Sequence, residues 1–178
     1  MNSEADRAVL SRTVRVDDIR DGASGEIAVT KTEMDAIAGM LDLVALEGLT
    51  FNYRLDHGGG GRVHLTGRLH ANVTQTCVVS LDPVEANLDV PVEVEFWPVS
   101  LIDELERSTE EPGNPGLLDW PEAVVDGRID LWPVIYETLA TALEPYPKQE
   151  GVSFDFGRKA PPKRRVAPRA ARLRPLPR

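Results

Sequence analysis

The chain has 178 residues, 42% apolar and 28% charged, with 14 Pro and 14 Gly, which suits one soluble domain with long turns and appendages. No apolar run approaches the ~20 residues that a membrane-spanning helix needs, and Met1 to Asp6 lack the basic-then-apolar order of a secretory signal. A lone Cys77 rules out an internal disulfide and a cysteine-rich zinc site, so the expectation is a cytoplasmic protein held together by packing. The net charge of -9 conceals an asymmetry: residues 1–157 carry all 29 acids against 11 bases, a balance of -18, whereas Arg158 to Arg178 holds nine bases and no acid.

Residues 1–9 read as a flexible N-terminus and 10–157 as one domain. Within it, Ser11 to Val16 and Gly25 to Thr30 alternate polar with apolar or small residues around Asp21-Gly22, as two short strands would. Thr32 followed by Asp35 resembles a capping box with the shorter acid. Met34, Ile37, Ala38, Leu41, Val44 and Ala45 then recur at helical spacing, which predicts a helix ending near Gly48.

Leu49, Phe51, Tyr53 and Leu55 alternate with polar residues as a strand with one buried face, closed by His57-Gly58-Gly59-Gly60-Gly61. Val63, Leu65, Leu69, Ala71, Val73 and Cys77 share one parity and predict a long strand, bent at Gly67. After a turn at Ser80 to Pro83, Val84, Ala86, Leu88, Val90, Val92, Val94 and Phe96 oppose Glu85, Asp89, Glu93 and Glu95. The two runs predict a long antiparallel hairpin, with Pro91 at an edge or a bulge. A four-residue turn would set Val79 against Val84, Arg68 against Glu95 and His70 against Glu93.

From Pro98 to Gly127 the periodicity fades into what reads as an acidic loop, tucked down by Leu117, Leu118 and Trp120. Asp130 can cap a last helix with Pro133 in its first turn, Leu131, Ile135, Leu139, Ala142 and Leu143 facing the core, and Pro145 as its stop. The sum is an α+β fold: an antiparallel β-sheet with a long central hairpin and two helices packed on it.

Few residues suggest chemistry. The Gly58 to Gly61 run lacks a following helix and the Gly-Lys-Ser/Thr ending of a phosphate loop, so it reads as a hairpin loop. His64 and His70 lie six residues apart on one strand face with no third ligand, and read as solvated histidines. Cys77 shares parity with Val73 and Leu69 and has no activating His motif, which points to a buried, inert thiol. The basic face of Arg62, His64, Arg68 and His70 should be absorbed by cross-strand pairs with the acids of the next strand. No catalytic, metal or cofactor constellation emerges, and an enzyme is not expected.

Two segments resemble a known family. Gln75-Thr76-Cys77-Val78-Val79-Ser80-Leu81-Asp82-Pro83-Val84 is similar to the Cys-containing turn of YceD proteins, especially their alphaproteobacterial branch. Ile129-Asp130-Leu131, Glu137, Leu139, Leu143 and Pro145-Tyr146-Pro147 resembles their second signature, a helix opened by Ile-Asp-Leu, carrying an internal Glu and closed by Pro-x-Pro. The likeness covers roughly residues 10–155. It implies a non-catalytic factor needed for normal levels of large-subunit ribosomal RNA, often encoded beside a large-subunit ribosomal protein. Its signature residues here are Cys77, Leu81, Pro83, Asp130, Glu137, Leu139, Pro145 and Pro147. For Glu137, a structural hydrogen bond or an N-terminal partner is expected rather than acid-base work, because no second carboxylate joins it at helical spacing.

Two departures stand out. Many relatives carry Cys-x-x-Cys at the turn, but Ser80 fills the second position, so no metal role follows. Relatives commonly finish in an Asn-Pro-Phe-type segment, whereas residues 158–178 are mostly Arg, Pro and Ala, with no acid. That bias fits an RNA-binding tail, with Lys163, Arg164, Arg165, Arg169, Arg172 and Arg174 as the contacts, or out-of-frame translation of a GC-rich gene. The tail cannot bury enough apolar surface to order alone. The expected partner of the acidic body is a ribosomal protein or a pre-large-subunit ribonucleoprotein, with RNA reached through the tail.

Overall fold

A computed structural model describes residues 12–19, 22–109 and 120–151. The fold is α+β, as the pattern predicts. A five-stranded sheet has the order β2-β3-β4-β5-β6, formed by Ala23–Ala28, Ala45–His57, Val63–Thr76, Pro83–Pro98 and Glu122–Val124. Its strands pair antiparallel except β5 with β6, which run parallel. The two short outer strands, β1 (Thr13–Arg15) and β7 (Arg128–Asp130), make a separate two-stranded sheet. Three helices accompany the strands among the described residues: α1 (Lys31–Met40), α2 (Val99–Thr109) and α3 (Trp132–Ala142).

The alternation along β3, β4 and β5 makes the sheet two-faced. Phe51, Leu55, Val63, Leu65, Leu69, Ala71, Val73 and Phe96 lie inward with Ile37 of α1 and Ile135 and Leu139 of α3. Thr50, Asn52 and Arg54 of β3 stand opposite His70, Arg68 and Thr66 of β4 on the polar face. The two faces therefore agree with the sequence, but the pairing register does not. The ladder runs from Val63↔Phe96 to Thr76↔Pro83, so His64 meets Glu95, Thr66 meets Glu93, Arg68 meets Pro91 and His70 meets Asp89. The expected pairs Arg68–Glu95 and His70–Glu93 are wrong by four residues, because the turn runs from Cys77 to Asp82 and is centred two residues earlier than the assumed turn from Ser80 to Pro83. An even slip leaves every side chain on its expected face.

The first helix also differs from expectation. Its box is Thr30 and Glu33, two residues before Thr32 and Asp35: Thr30 Oγ1 accepts the Glu33 N–H and Glu33 Oε2 accepts the Thr30 N–H. The longer Glu side chain reaches back where Asp35 does not. The helix stops at Met40 rather than near Gly48. Asp42 adopts a left-handed conformation (φ 53°), and the Leu43 N–H returns to the Ala38 carbonyl at 2.9 Å, which closes the last turn. Val44 is thus outside the helix and Ala45 begins β3.

Two further expectations fail for local reasons. The ladder is regular at Gly67, whose missing Cβ leaves room for the Phe51 ring and the Asn52 carbonyl, both 2.8 Å from where a Cβ would sit; the irregularity lies instead between Leu46 and Gly48. The supposed acidic loop 98–127 contains α2 and β6, and Ile102 of α2 is buried. Its charge obscured the apolar positions Leu101, Ile102 and Leu105. Trp120 is exposed, while Leu117 and Leu118 lie outside the described residues. So do residues 1–9 and the tail 158–178. Pro91 lies at the expected edge: among the described residues, β5 has a second partner only at Phe96–Pro98.

Glu33 ties the N-terminal strand region to this frame. It is buried, and Arg12 Nη2 reaches its Oε1 at 2.7 Å. Burial alone pushes this carboxyl up, but the Thr30 amide, Arg12 and the Thr30 hydroxyl together hold it below the usual value of 4.5. A depressed folded value means that stabilisation is full above the unfolded value and fades as pH falls through the folded one. Urea unfolding of Glu33→Gln between pH 3 and 6 should therefore show a flatter loss of stability below 4.5 than the parent; parallel curves would contradict this. Gly67→Ala should cost about 1–3 kcal/mol by overpacking against Phe51 and the Asn52 carbonyl, read from the urea midpoint.

Candidate functional site

The two signature segments lie 45 residues apart in sequence, from Val84 to Ile129, and the proline end of the second meets the first at the tip of the β4–β5 hairpin. Thr76↔Pro83 closes the ladder, the Cys77 N–H donates to the Asp82 carbonyl at 2.8 Å, and the Leu81 N–H returns to the Cys77 carbonyl at 3.0 Å. From the other segment, the Pro147 carbonyl accepts the Val78 N–H at 2.9 Å, and Gln75 Nε2 donates to the Glu144 carbonyl at 3.0 Å. The helix α3 stops at Ala142, and Pro145 and Pro147 keep the following chain extended so that it can lie along the turn.

Cys77 sits at the centre of this junction and is fully buried. Its Sγ accepts the amides of Val79 and Ser80, each at 3.4 Å, and of Gln149 at 3.5 Å. The Ser80 hydroxyl, the Ser80 amide, and the Gln149 and Val79 amides outweigh burial and lower the thiol from 9.0 to about 6. Burial was legible from strand parity, but inertness does not follow. The sulfur is an acceptor hub that binds turn to C-terminal segment. Sequence reasoning missed it because Gln149 arrives from a distant segment, and only the position of Ser80, three residues on, signalled a second polar group.

The remaining signature residues take distinct places. Leu81 is 75% exposed and left-handed (φ 65°), an uncommon conformation for a branched apolar residue. Pro83 opens β5, Leu139 is buried in the core, Pro145 is exposed and Pro147 is buried. Tyr146 and Val78 add exposed apolar surface to the same junction. Asp130 stands at the opposite end of α3, where its Oδ1 accepts the amides of Trp132 and Arg12; the N-cap itself is Leu131, which has no side-chain cap hydrogen bond, so the expected Asp130 cap lies one residue outside the helix cap.

Glu137 departs from expectation. It is exposed, and among the described residues its carboxylate takes no hydrogen bond. A second carboxylate does stand near it, contributed by β6: Glu122 is pushed above the usual range, first by burial and then by the charge of Glu137. Spacing along one helix could not reveal a neighbour from another element. Glu122 also lines an open cleft of about 730 Å³ with Asp126, Arg128 and Asp130.

On the polar face, His64 Nδ1 lies 2.6 Å from Glu95 and Arg68 Nη1 donates to Asp89 at 2.9 Å. Arg62 keeps to the same face, as expected, but stacks rather than ion-pairs: its guanidinium lies 4.0 Å over the ring of Trp97, whose indole N–H donates to Glu95. Among the described residues no group of three His, Cys, Asp or Glu side chains is arranged to hold a metal ion, and no helix is long and apolar enough to cross a membrane. Lys163, Arg164, Arg165, Arg169, Arg172 and Arg174 lie outside the described residues.

These features define an α+β protein whose long hairpin is clasped at its tip by a C-terminal proline segment. A family model described as large ribosomal RNA subunit accumulation protein YceD matches residues 65–170, more than half of the chain, and the chain belongs to that family. The match begins within β4 and runs into the basic segment, so it covers both signatures and leaves β1 to β3 and α1 outside. No curated protein and no solved structure matches the chain.

The lowered thiol has a measurable consequence. Thiolate absorbance near 240 nm should titrate with a midpoint of about 6, and stability should rise between about 6 and 9.0, because the unfolded thiol still holds its proton there. Cys77→Ser should abolish that rise. A midpoint at the ordinary value, or an identical pH slope in the variant, would contradict the acceptor-hub assignment.

Proposed function

We propose that this protein is a non-enzymatic cytoplasmic factor that supports large-subunit ribosomal RNA accumulation and 50S assembly by binding a ribosomal protein or a pre-large-subunit ribonucleoprotein. The observation that carries this reading is membership of the YceD family, whose description is large ribosomal RNA subunit accumulation. Charge supports the choice of partner: a body at -18 repels phosphate and attracts basic protein surfaces. The absence of a metal cluster or nucleophile-base pair in the sequence argues against turnover chemistry.

A second reading rests on the nine bases and no acid of residues 158–178, which suit RNA backbone contact. Truncation after Gly157 separates the two, since RNA binding through the tail would be lost while protein binding by the body would persist.

Deleting the gene should lower the ratio of large- to small-subunit RNA and build up precursor particles on a sucrose gradient. Complex formation with a basic ribosomal protein should weaken with salt, as exposed charges are screened over ~10 Å near 0.1 M. An unchanged RNA ratio and gradient in a clean deletion, under cold and rapid growth, would overturn the assembly role.

A further inference from the structure

The edge of β5 carries a feature that the family signature does not explain. From Pro83 to Glu95 the strand pairs with β4 on one side and, among the described residues, with nothing on the other. β4 and β5 remain paired through Thr76↔Pro83 and Arg68↔Pro91. Proline has no N–H to offer that ladder, so residues of this parity turn their main-chain groups away from β4. Between the two prolines, Glu85, Asn87 and Asp89 therefore present an unbroken run of outward N–H and C=O groups. Prolines close the run at both ends, as they do where a sheet edge is guarded.

The side chains of this window are divided by face. Glu85, Asn87 and Asp89 are exposed on the polar face, followed by Glu93 and Glu95. Across the ladder β4 supplies Arg68, which pairs with Asp89, and His64, which lies beside Glu93 and Glu95. Two permanent cations, Arg68 and, beyond the prolines, Arg62 stacked on Trp97, face the four carboxylates Glu85, Asp89, Glu93 and Glu95, so the edge keeps an excess of negative charge. Among the described residues Glu85 has no ion-pair partner. On the other face Val84, Ala86, Leu88 and Val90 are only half-buried, unlike Leu65 and Leu69 of the neighbouring strand, which are fully covered.

We propose that the β5 edge between Pro83 and Pro91 is a docking site for an extended segment of a basic ribosomal protein, which joins the sheet as an added strand. The inference rests on the protein-binding role proposed above and specifies its surface. Main-chain pairing to Glu85, Asn87 and Asp89 supplies the attachment, and side chains of alternate parity supply the selectivity. Lysine or arginine at every second position meets the acidic face, while the intervening apolar residues extend the row of Ala86 and Leu88. The recognised segment is about five residues long, matching the outward run from Glu85 to Asp89.

The test uses the full chain and twelve-residue synthetic peptides tiling the large-subunit ribosomal proteins of the parent organism, with the intact ribosomal proteins assayed in parallel. Peptides alternating Lys or Arg with apolar residues should bind, and amide exchange at Glu85, Asn87 and Asp89 should slow on binding while Ala86 and Leu88, already in the β4 ladder, stay unchanged. Asn87→Pro removes one outward donor without altering charge, at a parity where Pro83 and Pro91 already fit, and should weaken binding at least tenfold. The pair Glu85→Lys and Asp89→Lys should do the same by repulsion. Intact ribosomal proteins that bind equally well to both variants, with no peptide slowing those amides, would overturn the edge site and leave the protein-binding role standing. Binding of neither peptide nor intact protein would overturn both, and the edge would then serve only to prevent self-pairing.

Discussion

The rest of the structure depends on the continuous antiparallel pairing of β4 with β5. Fourteen successive residue pairs from Val63↔Phe96 to Thr76↔Pro83 fix which side chains share a face over the length of the sheet. Because β4 also pairs with β3 through the core positions Phe51↔Leu69 and Leu55↔Leu65, one register decides where the apolar layer lies. The helices then cover what that layer exposes: Ile37 of α1, and Ile135 and Leu139 of α3, are completely buried. A slip by one residue would turn Leu65, Leu69 and Val73 outward, and would cost several buried side chains at about 1.5–3 kcal/mol each.

The hairpin is long enough that its tip needs separate support, and the C-terminal segment provides it. A buried sulfur that accepts three amides joins the turn to a segment distant in sequence. Ser80 thereby has a role in the junction, through both its amide and its hydroxyl. The junction also explains why the two signatures belong together: one is the turn and the other is the clasp. Leu81 and Tyr146 are left exposed on the outside of the clasp, where neither adds to the core.

What could be read from the sequence follows from which interactions are local. Alternation along Val63 to Cys77 and Val84 to Phe96 reports faces directly, so the core positions and the polar face were legible. Register is set by where the turn is centred, and the bond between the Cys77 and Asp82 backbone groups centres it two residues before the Ser80 to Pro83 turn that the sequence suggests. The start of α3 was legible to within a residue from Asp130 at the head of an apolar period, although the N-cap itself is Leu131. The end of α1 was not, since it depends on Asp42 adopting a left-handed conformation that glycine usually supplies. The helix at Val99–Thr109 was hidden by its charge density, although Leu101, Ile102 and Leu105 mark its apolar stripe. Contacts between distant segments, such as Cys77 with Gln149 or Glu122 with Glu137, leave no periodic trace at all.

The central claim is that turn and clasp form one cooperative unit built on Cys77. Native-state amide exchange of Val78, Val79, Ser80 and Gln149 tests it most directly, compared between the parent and Cys77→Ala. If the unit is cooperative, the four amides exchange with similar, strong protection in the parent and lose it together in the variant, while Leu65 and Leu69 in the ladder remain protected. Independent exchange rates in the parent, or loss confined to the amides that touch the sulfur while Val78 stays protected, would contradict the claim.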